Sequence, residues 1–319
     1  MSEKYEGVPS PEQEQTNVEI VENELSEEQQ EEALRYVRIE CFEPGMEGQY
    51  HKVIKDVPVY GPVDSRRCGR SLGLNLVDGG FMCDYECAYC EYREEDREQV
   101  EKGLKKKVKK RTPEEIGRAL ETWLQKNPDQ PIDSLTFAGN TEPLLNGNFP
   151  AILEQVIRLR DKYRPDVPIS LFTDSSRAAK YDLSRIDNVW LKLDVGSEEA
   201  FRRINKAHGT TLEKVVGQIK RANPKRKCLQ TMVMAGTEGN YNDQDIADYV
   251  ERLLEIKPDE VGLYSVLYRG PQDRDILPVP DEVLMEVARR ISEAFENNQR
   301  SLKVTVFKNG EVFGKIRAF

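Results

Sequence analysis

Histidine and cysteine are both scarce: the 319 residues hold two histidines, His51 and His208, and six cysteines. A closed zinc site asks for four ligands, usually as two CxxC pairs or with histidines close to the thiols, and the chain offers little of either. A disulfide framework fits no better, because the chain is long, its cysteines are few and no secretory signal is present. No apolar run is long enough to span a bilayer, and no signal peptide or lipidation pattern occurs, so a cytoplasmic protein is expected. An excess of positive charge is also missing. Lysine and arginine number 47 against 57 aspartates and glutamates, a net charge of −10, so nucleic-acid binding would have to rest on a local patch.

Half of the six cysteines are crowded into one stretch, Phe81-Met82-Cys83-Asp84-Tyr85-Glu86-Cys87-Ala88-Tyr89-Cys90. Thiols at these offsets can point inward from one compact loop, which suits three corners of an iron–sulfur cube and leaves the fourth iron without a protein ligand. Zinc and unligated thiols are the competing readings. Cys41, Cys68 and Cys228 form no second close-spaced set and read as small buried hydrophobes.

The spacing C-x3-C-x-aromatic-C, with Tyr89 directly before Cys90, closely resembles the signature of the radical S-adenosylmethionine (SAM) superfamily. The segment Tyr60-Gly61-Pro62-Val63-Asp64-Ser65-Arg66-Arg67-Cys68-Gly69-Arg70-Ser71-Leu72-Gly73 resembles the Y-G-P-V-P-S-R-R-x-G-x-S-L-G lead-in of a group that includes relatives of the wybutosine-pathway tRNA-modifying enzymes. Asp64 stands where that group has proline, and Cys68 where an aliphatic residue is usual. The resemblance covers about residues 58–300. It implies a [4Fe–4S] cluster on Cys83, Cys87 and Cys90, with S-adenosyl-L-methionine on the open iron. Reductive cleavage to a 5′-deoxyadenosyl radical, and hydrogen abstraction from a substrate, would follow. A low-potential electron donor such as flavodoxin or ferredoxin is implied as partner.

Along the chain, residues 1–34 are dense in glutamate and poor in large apolar residues, and read as a disordered acidic tail. Residues 35–300 read as one core domain. After a leading strand at Tyr36–Phe42, apolar runs at Leu72–Val77, Ser134–Ala138, Ile169–Thr173, Val189–Leu193, Leu229–Met234 and Val261–Leu267 are followed by or alternate with amphipathic stretches. Those stretches are Pro113–Gln125, Phe149–Tyr163, Leu212–Ala222, Asp243–Ile256 and Asp281–Asn297. The alternation argues for parallel βαβ units in an α/β fold; the resemblance implies a partial, TIM-like (β/α)6 barrel. Residues 301–319 read as an appended hairpin, because Leu302–Phe307 and Glu311–Ile316 flank the Asn-Gly turn signal of Lys308-Asn309-Gly310.

In barrels of this type functional side chains collect at the carboxyl ends of the strands. Gly139-Asn140-Thr141-Glu142-Pro143 follows the second core strand and resembles the family's G-G-E-P element, which lies along the methionine moiety. On that resemblance Gly139, Asn140, Thr141 and Glu142 are cofactor-binding candidates, with the Glu142 carboxylate accepting from the α-ammonium group. Thr173 and Asp174 end the third strand, and Asp194, after Lys192-Leu193, is a candidate for a ribose hydroxyl. Gln230 and Met232 share a face of the fifth strand. Tyr89 is expected beside the adenine. Arg66, Arg67 and Arg70 can bind an anionic substrate, tune the cluster or pair with nearby carboxylates. Tyr264, Tyr268 and Arg269 close the sixth strand, and His208 lies in a loop resembling the family's I-N-x-P-H element. The basic run Lys102–Arg111 can guide RNA phosphates or be a solvated segment; without interleaved aromatics it reads as the latter. The favoured reading is a radical SAM enzyme acting on a small molecule, peptide or lipid. A tRNA-modifying enzyme and a non-catalytic iron–sulfur electron carrier are the alternatives.

Overall fold

The computed structural model describes residues 57–90, 108–237, 239–266 and 276–308, and the backbone of two further strands, Val18–Glu19 and Glu311–Ala318. In chain order the strands are β1 (Val18–Glu19), β2 (Val59–Ser65), β3 (Gly69–Leu74), β4 (Val77–Asp78), β5 (Lys109–Lys110), β6 (Ser134–Phe137), β7 (Ile169–Thr173), β8 (Asn188–Lys192), β9 (Cys228–Ala235), β10 (Glu260–Ser265), β11 (Leu277–Pro278), β12 (Leu302–Lys308) and β13 (Glu311–Ala318). The long helices are α1 (Pro113–Lys126), α2 (Phe149–Tyr163), α3 (Leu212–Arg221), α4 (Asp243–Ile256) and α5 (Asp281–Asn297).

Strands β3, β6, β7, β8, β9, β10 and β12 run parallel, each beside the next. β2 flanks β3 antiparallel, and β13 flanks β12 in the same way. Every residue of β6 and β10 is buried, as expected of parallel strands covered on both faces. The described residues form a rolled sheet in which no pairing joins β2 to the opposite edge. The rolling is visible in side chains: Arg66, in the β2–β3 turn, donates a 2.8 Å bond to the carbonyl of Ser265 at the end of β10.

The helices start where local chemistry stops the strands. Thr112 caps α1 in a capping box: its hydroxyl accepts from the Glu115 amide, and the Glu115 carboxylate accepts from the Thr112 amide at 2.8 Å. Such a cap contributes on the order of 1 kcal/mol. Ile116, Leu120 and Leu124, four residues apart, then form its buried stripe. Asn242 caps α4, and Lys257 ends it in a left-handed conformation. The connection from β7 to β8 carries turns instead of a helix.

Two sequence expectations change. The 301–319 segment does form an antiparallel pair, but β12 is no appendage: it pairs parallel with β10 from Glu260↔Lys303 to Tyr264↔Phe307. The reason is that α5 supplies the same crossover as the earlier helices, and Leu302, Val304 and Val306 bury like the other core strands. Of the expected disordered tail, Val18–Glu19 pairs with β13; the rest of residues 1–34, the strand expected at Tyr36–Phe42, and Asn309-Gly310 lie outside the described residues.

On the inner face, polar residues near the amino ends satisfy one another. Ser71 donates to Thr136 (2.6 Å), Thr136 to Ser134 (3.0 Å) and Ser134 to Ser170 (2.8 Å). Such a closed ladder removes the cost of burying hydroxyls.

Candidate active site

Beyond β3 the chain reaches the cysteine loop, which is clamped by backbone from two sides. On one side the Met82 amide donates to the Asn140 carbonyl (3.2 Å) and the Glu142 amide to the Met82 carbonyl (2.7 Å). On the other, the amides of Glu86 and Ala88 donate to the carbonyls of Asn205 (3.0 Å) and Ile204 (2.8 Å), and the His208 amide to the Asp84 carbonyl (2.8 Å). The Gly-Asn-Thr-Glu-Pro segment and the Ile204–His208 segment therefore meet at the loop. Gly139, at φ +117°, makes the turn out of β6 in a conformation that side chains rarely adopt. The His208 imidazole is exposed and pairs with Glu86 at 2.9 Å.

Cys87 is buried, and Cys83 and Cys90 are half-buried. Burial pushes the Cys83 thiol well up, with the charges of Asp174, Cys87 and Glu142 adding to it. Burial also raises Cys87, opposed by the positive charge of Lys192. Two sulfurs already accept N–H donors: the Tyr85 amide reaches Cys83 Sγ at 3.4 Å, and Asn205 Nδ2 reaches Cys87 Sγ at 3.7 Å. Among the described residues no three His, Cys, Asp or Glu side chains converge on one point as ligands of a single metal ion. A cube-shaped cluster makes no such demand, because each iron takes its own thiolate, and hydrogen bonds to the sulfurs are among the features that set its potential. An all-sulfur donor set of three, with N–H groups on two of them, fits such a cluster.

On the β6–β7 side of the loop two carboxylates sit together. Glu142, 3% exposed, accepts from the Thr173 hydroxyl (2.7 Å), the Leu144 amide (3.0 Å) and the Asp174 amide (2.6 Å). Burial, then the charge of Asp174, pushes it well above the usual carboxylate range. Asp174 accepts from the Ser176 amide at 2.8 Å and lies 3.6 Å from Cys83 Sγ. Burial pushes it up to about 6, with the charge of Asp84 adding to the effect. Among the described residues no lysine or arginine forms an ion pair with either Glu142 or Asp174.

On the β8 side the arrangement is the reverse. Asp194 Oδ2 receives Lys192 Nζ (2.6 Å), the Tyr89 hydroxyl (2.5 Å) and Asn205 Nδ2 (2.7 Å), while Oδ1 receives the Met232 amide (3.0 Å). The Lys192 ammonium also lies 4.4 Å from the centre of the Tyr89 ring. Burial works against the charge on Lys192, but Asp194 and the Cys87 sulfur outweigh it and hold its pKa above the ordinary value. The ribose contact expected of Asp194 thus competes with four internal donors. Two residues after it, Gly196 lies against the backbone of α4: an added Cβ would fall 2.0 Å from the carbonyl carbon of Asp248.

The other candidates are spread around this centre. Asn140 donates to the Gly80 carbonyl, and Thr141 to the Met82 carbonyl at 3.0 Å, so both brace the cysteine loop. Gln230 Nε2 donates to the Trp190 carbonyl at 3.1 Å, spending its amide on backbone. Cys68 and Cys228 are buried and take no place in the loop, while Cys41, Tyr268 and Arg269 lie outside the described residues. Arg70 forms a forked pair with Asp133 on the outside. Of the basic run, residues 102–107 are not described; Lys109 binds Glu115, Lys110 the Leu145 carbonyl, and Arg111 is buried against Val77 and Asp78. Lys192 and Asn205 join this centre; Asn205 belongs to the segment that resembles the I-N-x-P-H element, whereas no local motif marks Lys192.

With this geometry in view, the model of the Radical SAM superfamily matches residues 79–253, more than half of the chain and the whole span from the loop to α4. A UPF0026 protein of Methanocaldococcus jannaschii is 32% identical over 254 residues, covering 76% of this chain and 74% of that one. Among solved structures, TYW1 with a lysine-pyruvate adduct bound superposes with a TM-score of 0.55 at 14% identity, covering 78% of this chain and 80% of that one. SuiB of Streptococcus suis bound to precursor peptide SuiA gives 0.52 at 11% identity, over 90% of this chain and 55% of the other. At these identities the two likenesses are of fold.

Proposed function

The chain belongs to the radical SAM superfamily, and on that premise we propose that Cys83, Cys87 and Cys90 hold a [4Fe–4S] cluster and that the carboxyl rim of the sheet binds S-adenosylmethionine beside it. Bound there, the two cofactors supply a 5′-deoxyadenosyl radical for hydrogen abstraction from a substrate.

The observation that carries this reading is the charge imbalance around the loop. Glu142 and Asp174 are buried carboxylates that no lysine or arginine among the described residues pairs with, and ionised carboxylates of that kind are costly unless a positive group meets them. An α-ammonium group is such a partner. Glu142 has three donors in place and Asp174 two neighbours, which leaves acceptor capacity for one more charged donor. Tyr89, fixed by its hydroxyl on Asp194 and by Lys192 at its ring, is the residue this reading sets beside the adenine. Thr173 orients Glu142, and Gln230 and Met232 line the wall beside Asp194. The substrate is a small molecule, peptide or lipid in this reading, since the described lysines of the basic run are engaged internally.

Anaerobic reconstitution tests it. The full chain is expected to take up about four irons and four sulfides, and to form 5′-deoxyadenosine from S-adenosylmethionine under a low-potential reductant. Cys83→Ala, Cys87→Ala and Cys90→Ala should each abolish both, whereas Cys68→Ala and Cys228→Ala should abolish neither. Stoichiometric zinc with no capacity for iron would sink the proposal.

A further inference from the structure

One half-buried cation is not accounted for by the fold. Arg67 leaves the β2–β3 turn and lays its guanidinium against two rings, Phe172 on β7 and Tyr264 on β10, each with its centre 4.4 Å from the guanidinium carbon. Its Nε and Nη1 are buried and have no hydrogen-bond partner among the described residues. The two rings compensate part of the charge, as cation–π contacts do, but no oxygen or nitrogen acceptor meets the buried N–H groups. Buried donors left unmade cost about 1–3 kcal/mol each, more when charged, so such an edge calls for an acceptor. The neighbouring Arg66 shows the contrast, because its Nη1 is bonded to the Ser265 carbonyl.

A second orphan lies in the same lining. Trp190 faces Phe172 across the β7–β8 ladder, and its indole Nε1 is buried without a partner. Both rings sit one inward-facing layer below the cluster side of the rim: Phe172 precedes Asp174 by two residues, and Trp190 precedes Lys192 by two. Period two keeps these side chains on one face, and two residues of strand span roughly 7 Å. Asp174 touches Cys83, and Lys192 acts on Cys87 and Tyr264. The unpaired donors are therefore attached to the inward face of the sheet, Trp190 directly and Arg67 through its contacts with Phe172 and Tyr264, one layer below the strand ends that carry Asp174 and Lys192.

We propose that Arg67, with Trp190 Nε1 as second donor, is an oxyanion-binding subsite that fixes the anionic end, a carboxylate or a phosphate, of the substrate in the barrel interior. What the subsite serves rests on the radical reading above; that it binds an anion does not. A planar guanidinium set against two rings suits the paired acceptor oxygens of a carboxylate or phosphate, and replacement by a lysine would keep the charge while losing the planar fork.

The test is calorimetric titration of the anaerobically reconstituted full chain in chloride buffer, with inorganic phosphate in one arm and succinate in the other. One arm is expected to bind, with affinity falling at least tenfold in Arg67→Gln, several-fold in Trp190→Phe and by an intermediate factor in Arg67→Lys, which also guards against a folding defect in the glutamine variant. Whichever arm binds names the anion. Absence of heat above the chloride control in both arms, or equal affinity in wild type and Arg67→Gln, would overturn the proposal. Arg67-dependent binding in protein that forms no 5′-deoxyadenosine would support the subsite and defeat the radical reading alone.

Discussion

The two sides of the cysteine loop solve the same problem in opposite ways. Each buries a carboxylate at the carboxyl end of a strand, within reach of a cysteine. Asp194 is neutralised from within, by Lys192 two residues earlier on the same strand face. Glu142 is held by a hydroxyl and two amides, and its nearest charge is another carboxylate, Asp174. Buried ion pairs organise structure, whereas buried charge without a counter-charge is the signature of a site waiting for one. The β8 side is thus the scaffold that sets Tyr89 and Asn205, and in the proposed reading the β6–β7 side is the acceptor.

This contrast can be broken where it is strongest. Asp194→Asn leaves the Lys192 ammonium buried without its partner and should lower unfolding stability by about 3–5 kcal/mol in urea denaturation. Adding Lys192→Met to Asp194→Asn should recover part of that loss, because it removes the unpaired ammonium while the asparagine amide oxygen can still accept from the other donors around position 194. A single variant as stable as wild type would mean that Asp194 is not the scaffold. Glu142→Gln should act on binding instead: S-adenosylmethionine affinity, followed by electron paramagnetic resonance of the reduced cluster, is expected to weaken by about 1.5–3 kcal/mol with iron content unchanged. Unchanged affinity would remove the Gly-Asn-Thr-Glu-Pro turn from the cofactor site. The smallest effect belongs to a pair remote from both sides. Asp133→Asn, which loses the exposed Arg70 fork, should cost at most about 1 kcal/mol near neutral pH. The Arg70 hydrogen bond holds the Asp133 carboxyl below its ordinary value, so its contribution is present above the usual carboxylate range and vanishes as pH falls through the lowered value. Thermal unfolding of wild type and variant as a function of pH should converge on the acid side; a gap that persists there would assign the loss to packing.

Much of this was legible in the sequence because the signals are local. The α2, α4 and α5 stretches coincide with the expected ones, α1 and α3 differ by one residue, and the strands agree to within a few, since periodicity and caps act over a few positions. The cysteine loop announced itself by spacing. What escaped was long-range. Tyr89, Lys192, Asp194 and Asn205 meet only after three crossovers, and a lysine in a strand reads as exposed until its counter-ion is known. The parallel pairing of β12 was hidden in the same way: its Asn-Gly turn speaks for β13, while its partner β10 lies beyond a whole helix. Arg67 stood among three arginines of which one pairs outside, one caps a strand end and one turns inward, a division that no composition could foretell.

Gly196 carries a consequence for how such a chain can vary. Since the backbone of α4 occupies the space that any side chain would need there, a mutation at this position requires a compensating displacement of the helix. The loop that follows Asp194 and α4 are therefore tied together, and a change at this point of the rim must be answered by a shift in the helix.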